Sequence, residues 1–140
     1  MAGLVGGIVS AAWGLLMSPI LGTDVLAETR LAAVPLLGHA ATQPENAALA
    51  FLVGGASHMA VSIVWGIVFA LTWRSASPLA LIAGGALFGA AVWRVMYDLV
   101  LPMLGVRWIV ARFSTARAVT EHVVFGMGVA LGLLLARRRR

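Results

Sequence analysis

Residues 47–73 read AALAFLVGGASHMAVSIVWGIVFALTW, an unbroken run with no formal charge and one histidine, His58. About 20 apolar residues cross a hydrocarbon core ~30 Å thick, so this run marks a membrane-spanning helix. In lipid every backbone N–H and C=O needs an internal partner, which leaves a helix as the conformation for a lone span. Working outward, residues 2–21, 79–104 and 118–136 have the same character. Local signals bound these spans. Thr42-Gln43-Pro44-Glu45 reads as a capping box opening the second helix, and Ser77-Pro78 as an N-cap with proline in the first turn of the third. Pro102 and Gly105 mark the end of the third. Trp73 and Trp108 stand where interfacial aromatics belong. The expected fold is an all-α integral membrane protein, a single four-helix transmembrane bundle over residues 1–140. The segment 22–46 holds Asp24, Glu28, Glu45, His39 and Pro35 and is too polar to span. It is expected as a short surface or re-entrant piece between helices one and two.

Composition agrees. Of 140 residues, 61% are hydrophobic and 11% charged, and the mean hydropathy is +1.00. A soluble domain is about half apolar and a quarter charged, so a soluble or disordered chain is excluded. Cysteine is absent, which removes disulfides, thiolate metal sites and cysteine nucleophiles. All ten basic residues are arginine, so Schiff-base chemistry is excluded too. The net charge of +5 does not signal nucleic acid, because the arginines flank spans and form no basic face. Contacts with lipid headgroups explain them better. Val25-Leu26-Ala27 faintly resembles a cleavage site, but no basic residue precedes Arg30, and the first stretch reads as a retained helix.

Four crossings put both ends of the bundle on one side. Arg74 and the run Arg137, Arg138, Arg139, Arg140 assign that side to the cytoplasm, against Arg30, Arg107, Arg112 and Arg117 opposite. Trp108, Ile109, Val110 and Phe113 lie among the last three of these, so that segment is expected along the membrane surface.

Membrane helices pack through small residues spaced four apart. The first helix offers Ser10, Gly14 and Ser18, and the second Gly54, His58, Ser62, Gly66 and Ala70. The third has Ala86, Ala90, Arg94, Asp98 and Pro102, with Gly85 and Gly89 beside them. The fourth has His122, Gly126 and Ala130, flanked by Gly128 and Gly132. Strongly polar residues fall on these stripes, where a charge avoids lipid. Helical rise places His58 ~16 Å below the outer face, and Arg94 and Asp98 ~24 and ~30 Å from the inner face. Glu121 and His122 lie within about two turns of the outer face. His58, Arg94, Asp98, Glu121 and His122 therefore form one candidate site, supported by Ser62 and Tyr97.

Three chemistries suit that set. In the first it is a polar clasp: Arg94 pairs with Asp98 at i, i+4 and with Glu121 across the interface, while the histidines bond to Ser62, Tyr97 or backbone carbonyls. In the second, histidine and carboxylate pass protons from the outer face, although no acid in the inner half continues the relay. In the third, His58 and His122 ligate a haem b, or hold a divalent metal together with Glu121 or Asp98. No CxxCH, HExxH or paired ExxH motif accompanies them. Hydrolase chemistry is least favoured, since Ser57 and Ser62 lie in no nucleophile elbow.

Part of the chain also resembles a family. His58-x-x-x-Ser62-Ile63-Val64 followed by Phe69-Ala70, then Leu81-Ile82-Ala83-Gly84-Gly85, Pro102-Met103-Leu104-Gly105, and Glu121-His122 with Phe125-Gly126 resemble the YagU-type family of small bacterial inner-membrane proteins. The resemblance covers about the last two-thirds of the chain. It implies an inner-membrane protein of this layout and carries over His58, Ser62, Glu121 and His122. For that family a link to acid tolerance has been suggested. The chain departs from the pattern in being shorter, in lacking polar tails and in having Trp93-Arg94 where a histidine-containing stretch is expected. The function expected from these readings is a non-enzymatic accessory or structural subunit of a larger membrane assembly, associating with other membrane proteins or with itself. The alternative is a self-contained protein binding haem, a metal or protons at the polar cluster.

Overall fold

A computed structural model describes residues 1–24, 26–73, 76–112 and 114–138. Val25, Arg74, Phe113, Arg139 and Arg140, on which parts of the cleavage-site, orientation and surface-segment readings rest, lie outside the described residues. Among the described residues there are helices and turns and no strand. Four helices are long and apolar enough to cross a membrane, so the molecule is a multi-pass, all-α membrane bundle. They are α1 (Ala2–Ile20), α4 (Ala47–Trp73), α5 (Pro78–Val95, continuing through a π-turn at Met96–Val100 into α6, Leu101–Met103) and α7 (Thr115–Arg137). The short helices α2 (Ala27–Leu31) and α3 (Val34–Leu37) fall in the connecting segment, followed by 3₁₀ turns at Gly38–Thr42 and Pro44–Asn46.

Glycine sets the packing order. The helix α7 lies between α1 and α5, and α1 lies between α7 and α4. Gly128 and Gly132 bring α7 against Gly6 and Ala2 of α1, where an added Cβ would meet backbone carbon at 3.0 and 2.8 Å. On the opposite side of α7, Gly126 meets Gly85 and Gly89, and a Cβ on Gly85 would sit 2.5 Å from the Gly126 carbonyl oxygen. The α1–α4 seam is built the same way, with Gly3 against the Ser62 backbone and Gly66 against Gly3. Close backbone approach of this kind gains dispersion that larger side chains would prevent. The stripes expected on α1, α4 and α7 are buried at Ser10, Gly14, Ser18, Gly54, Ser62, Gly66, Gly126 and Ala130. Neighbours in sequence, α4 and α5 meet mainly through aromatic side chains. Phe69 of α4 tilts against Phe88 of α5 at 5.1 Å and Trp65 meets Phe88 edge-on, while Trp73 stacks on Phe69 within α4 at 5.8 Å.

The ends differ from expectation in two places. The capping box does not form: Gln43 is extended before Pro44, Thr42 Oγ1 donates to the His39 carbonyl, and α4 grows out of the 3₁₀ turn. Proline disfavours a helical residue before it, which removes the geometry the box requires. Ser77 does cap α5, accepting from the Ala80 N–H at 3.3 Å. The last span begins three residues earlier than expected, at Thr115, capped by Ser114 accepting from the Arg117 N–H. Its far end is tied down as well. Arg137 donates to the carbonyls of Trp73 and Ala76 at 2.8 and 2.7 Å, satisfying groups left over where α4 ends.

Helix α4 rises ~40 Å, about 10 Å more than a hydrocarbon core needs. The connecting segment packs against its first turns. The Thr29 carbonyl comes so close to Gly54 that a Cβ there would collide with it. Ala33, Val34, Ala41 and Ala50 are buried there with Val106 and Ile109, the latter from a 3₁₀ stretch at Arg107–Arg112. Trp108 of that stretch stacks on His39 at 4.6 Å.

Candidate functional site

Where α7 begins, the fold gathers polar groups from three parts of the chain. Arg117, in the first turn of α7, is only 10% exposed. Its Nε donates to Glu121 Oε1 at 3.0 Å, one nitrogen donates to Thr23 Oγ1 at 2.9 Å, and the other donates to Ser18 Oγ at 3.0 Å and ion-pairs with Glu28. Glu28 and Glu121 are 20% and 19% exposed, so one cation sits between two largely covered carboxylates. Ser18 donates onward to the Gly14 carbonyl at 2.8 Å, and Gly14 is the residue against which the second Glu28 oxygen packs. A single guanidinium thus joins α1, α2 and α7. Charge-assisted hydrogen bonds of this sort are about twice as strong as neutral ones, and the fork geometry fixes direction as well.

Deeper in the bundle, His58 of α4 donates Nε2–H to the Gly7 carbonyl of α1 at 3.0 Å, with Ser10 Oγ at 3.4 Å. His122 donates Nδ1–H to the Ala118 carbonyl at 2.8 Å and meets the Tyr97 ring edge-on at 5.8 Å. Of the predicted residues, Tyr97 and His122 meet directly, Glu121 stands beside His122 on α7, and His58 is held separately against α1. Ser62 is buried in the α1–α4 seam against Gly7, and the partners of His58 come from α1 instead.

Arg94 and Asp98 do not join them. They pair with each other at 2.5 Å, but on the outside of α5, with side chains 70% and 49% exposed. Glu121, expected to pair with Arg94, pairs with Arg117. The reason lies in α5. Its buried face runs through Leu81, Gly84, Gly85, Gly89 and Val92, which leaves Ala86 and Ala90 at its edge and turns Arg94 outward. The π-turn from Met96, just before Pro102, then shifts the register past Asp98. Proline cannot accommodate the carbonyl four residues back, and a π-turn is one way to relieve that clash. Trp93, Arg94, Tyr97 and Asp98 line an open cleft of about 220 Å³ with Val110 and Thr115.

His58 Nε2 and His122 Nδ1 each donate to a backbone carbonyl, which leaves one nitrogen of each ring uncommitted. Among the described residues, no group of three or more His, Asp or Glu converges to hold a metal ion. Sequence reasoning missed the role of Arg117, Glu28 and Thr23. The Arg117–Glu121 spacing of four was a usable signal; the Glu28 contact bridges distant parts of the chain and has none.

Fold and site together define a multi-pass helical membrane protein, one end of which is fastened by a largely covered arginine–carboxylate cluster. No protein-family model, curated protein or solved structure matches the chain.

Proposed function

We propose that this protein is a small, non-enzymatic membrane subunit that acts by associating with other membrane proteins, its own fold fastened by the Arg117 cluster. The observation that carries this reading is the exposed Arg94–Asp98 pair on a spanning helix. A charged side chain at membrane depth costs several kcal/mol unless it faces protein or water. The charges Arg117, Glu28 and Glu121 pair under cover of the fold, while Arg94 and Asp98 pair with each other on its outside. A protein surface laid over this pair removes the cost.

The setting proposed is a bacterial inner membrane with both ends of the bundle in the cytoplasm. Arg74 and Arg137 to Arg140 all fall at that end, whereas every acidic residue of the chain falls toward the other. The resemblance to the YagU-type family supports the same location.

Replacing the pair tests the reading. The double variant Arg94→Ala/Asp98→Ala should insert and melt like wild type but run as a single chain after mild extraction. If it stays in the same assembly as wild type, the pair does not make the contact and the reading fails.

A further inference from the structure

We infer that the surface covering Arg94 and Asp98 is the same surface of a second copy of this chain, packed α5 against α5. The inference rests on the association reading above and names its partner. Charge complementarity selects the occupant. An anionic headgroup approaching Arg94 also meets Asp98, and a cation approaching Asp98 meets Arg94. A fitting partner carries one acid and one base, about one helical turn apart in depth. A copy related by a two-fold axis along the membrane normal supplies them by symmetry, because every residue keeps its depth. Arg94 and Asp98 differ by ~6 Å along the helix, the span Arg94 already bridges within its own chain. In the pair of copies each guanidinium reaches both its own Asp98 and that of the second copy, giving four alternating charges. The same face of α5 continues downward through Val95, Ala91 and Leu87, all exposed and free of further charge. That face is apolar enough for a helix–helix seam, and the alanine permits close approach.

The absence of cysteine makes the test clean. Single variants Ala91→Cys and Leu87→Cys on α5, and Ile67→Cys on the exposed side of α4 as control, are oxidised in intact membranes. The expected result is a band at twice 14.6 kDa for the α5 positions and its loss at the α4 position. In the Ala91→Cys background, Arg94→Asp and Asp98→Arg should each abolish the band when expressed alone. Co-expressing the two, with different tags, should restore it as a mixed dimer, which pairing inside one chain cannot explain. The first comparison needs no charge change, so it decides the matter even if a charge variant fails to insert. No band at Ala91 or Leu87 in inserted protein overturns the inference. A band with a different polypeptide overturns it but leaves the association reading standing. If the chain also migrates singly after mild extraction, both fall.

Discussion

Arg117 shows how far a residue's role can depart from its sequence context. Placed in the first turn of a span and flanked by other arginines, it reads as a headgroup contact. In the fold it is covered, with two carboxylates and two hydroxyls around it. Removing one partner of a buried ion pair leaves an uncompensated charge, at a cost of about 3–5 kcal/mol. Arg117→Leu should therefore lower the melting temperature steeply, read by circular dichroism in detergent, because Glu28 and Glu121 are left facing each other's charge. Arg94→Leu should cost less than Arg117→Leu, because Arg94 pairs with one half-exposed carboxylate where Arg117 holds two largely covered ones. The opposite ranking would move the clasp back to Arg94, where the sequence alone suggests it. The similar depth of Tyr97, Glu121 and His122 was legible because depth follows from counting residues along a helix. The partners of His58 and Arg117 were not, since hydrogen bonds to Gly7 or Ser18 depend on which helices touch, and no spacing within one helix encodes that.

At the scale of elements, the spans were legible because hydropathy is local, and the stripes because close packing in lipid demands small residues. The stripe on α5 was misread beyond Ala90. A constant period of four was carried through a segment whose contact face is set by Gly85 and Gly89, and which then passes into a π-turn ahead of Pro102. The docking of the connecting segment gives a sharp test with two adjacent glycines. A Cβ on Gly54 would collide with the Thr29 carbonyl, whereas one on Gly55 would find only the Thr29 methyl at 4.0 Å. Gly54→Ala should loosen the segment and expose it to protease cleavage between residues 22 and 46. Gly55→Ala should leave protection unchanged, with helix propensity slightly in its favour. Equal protection in both variants would mean that the segment is not held at Gly54. A parallel contrast holds for α7: Gly126→Ala, aimed at the Gly85 carbonyl, should separate α5 from α7 and lower the melting temperature.

For the whole molecule, the same glycines that let the four spanning helices bury one another leave wide apolar surfaces outside, with the Arg94–Asp98 pair among them. Lipid satisfies the apolar part. It does not satisfy the charges, and from that imbalance the functional reading follows. The sequence already implied a bundle with a polar band near its outer end, but not which charges that bundle consumes and which it leaves over. The native mass of the protein extracted from its own membrane in mild detergent tests the association directly. The expected particle holds at least two copies of the 14.6 kDa chain. A homogeneous particle holding one chain would contradict it, and the exposed pair would then be an interfacial feature with no protein partner.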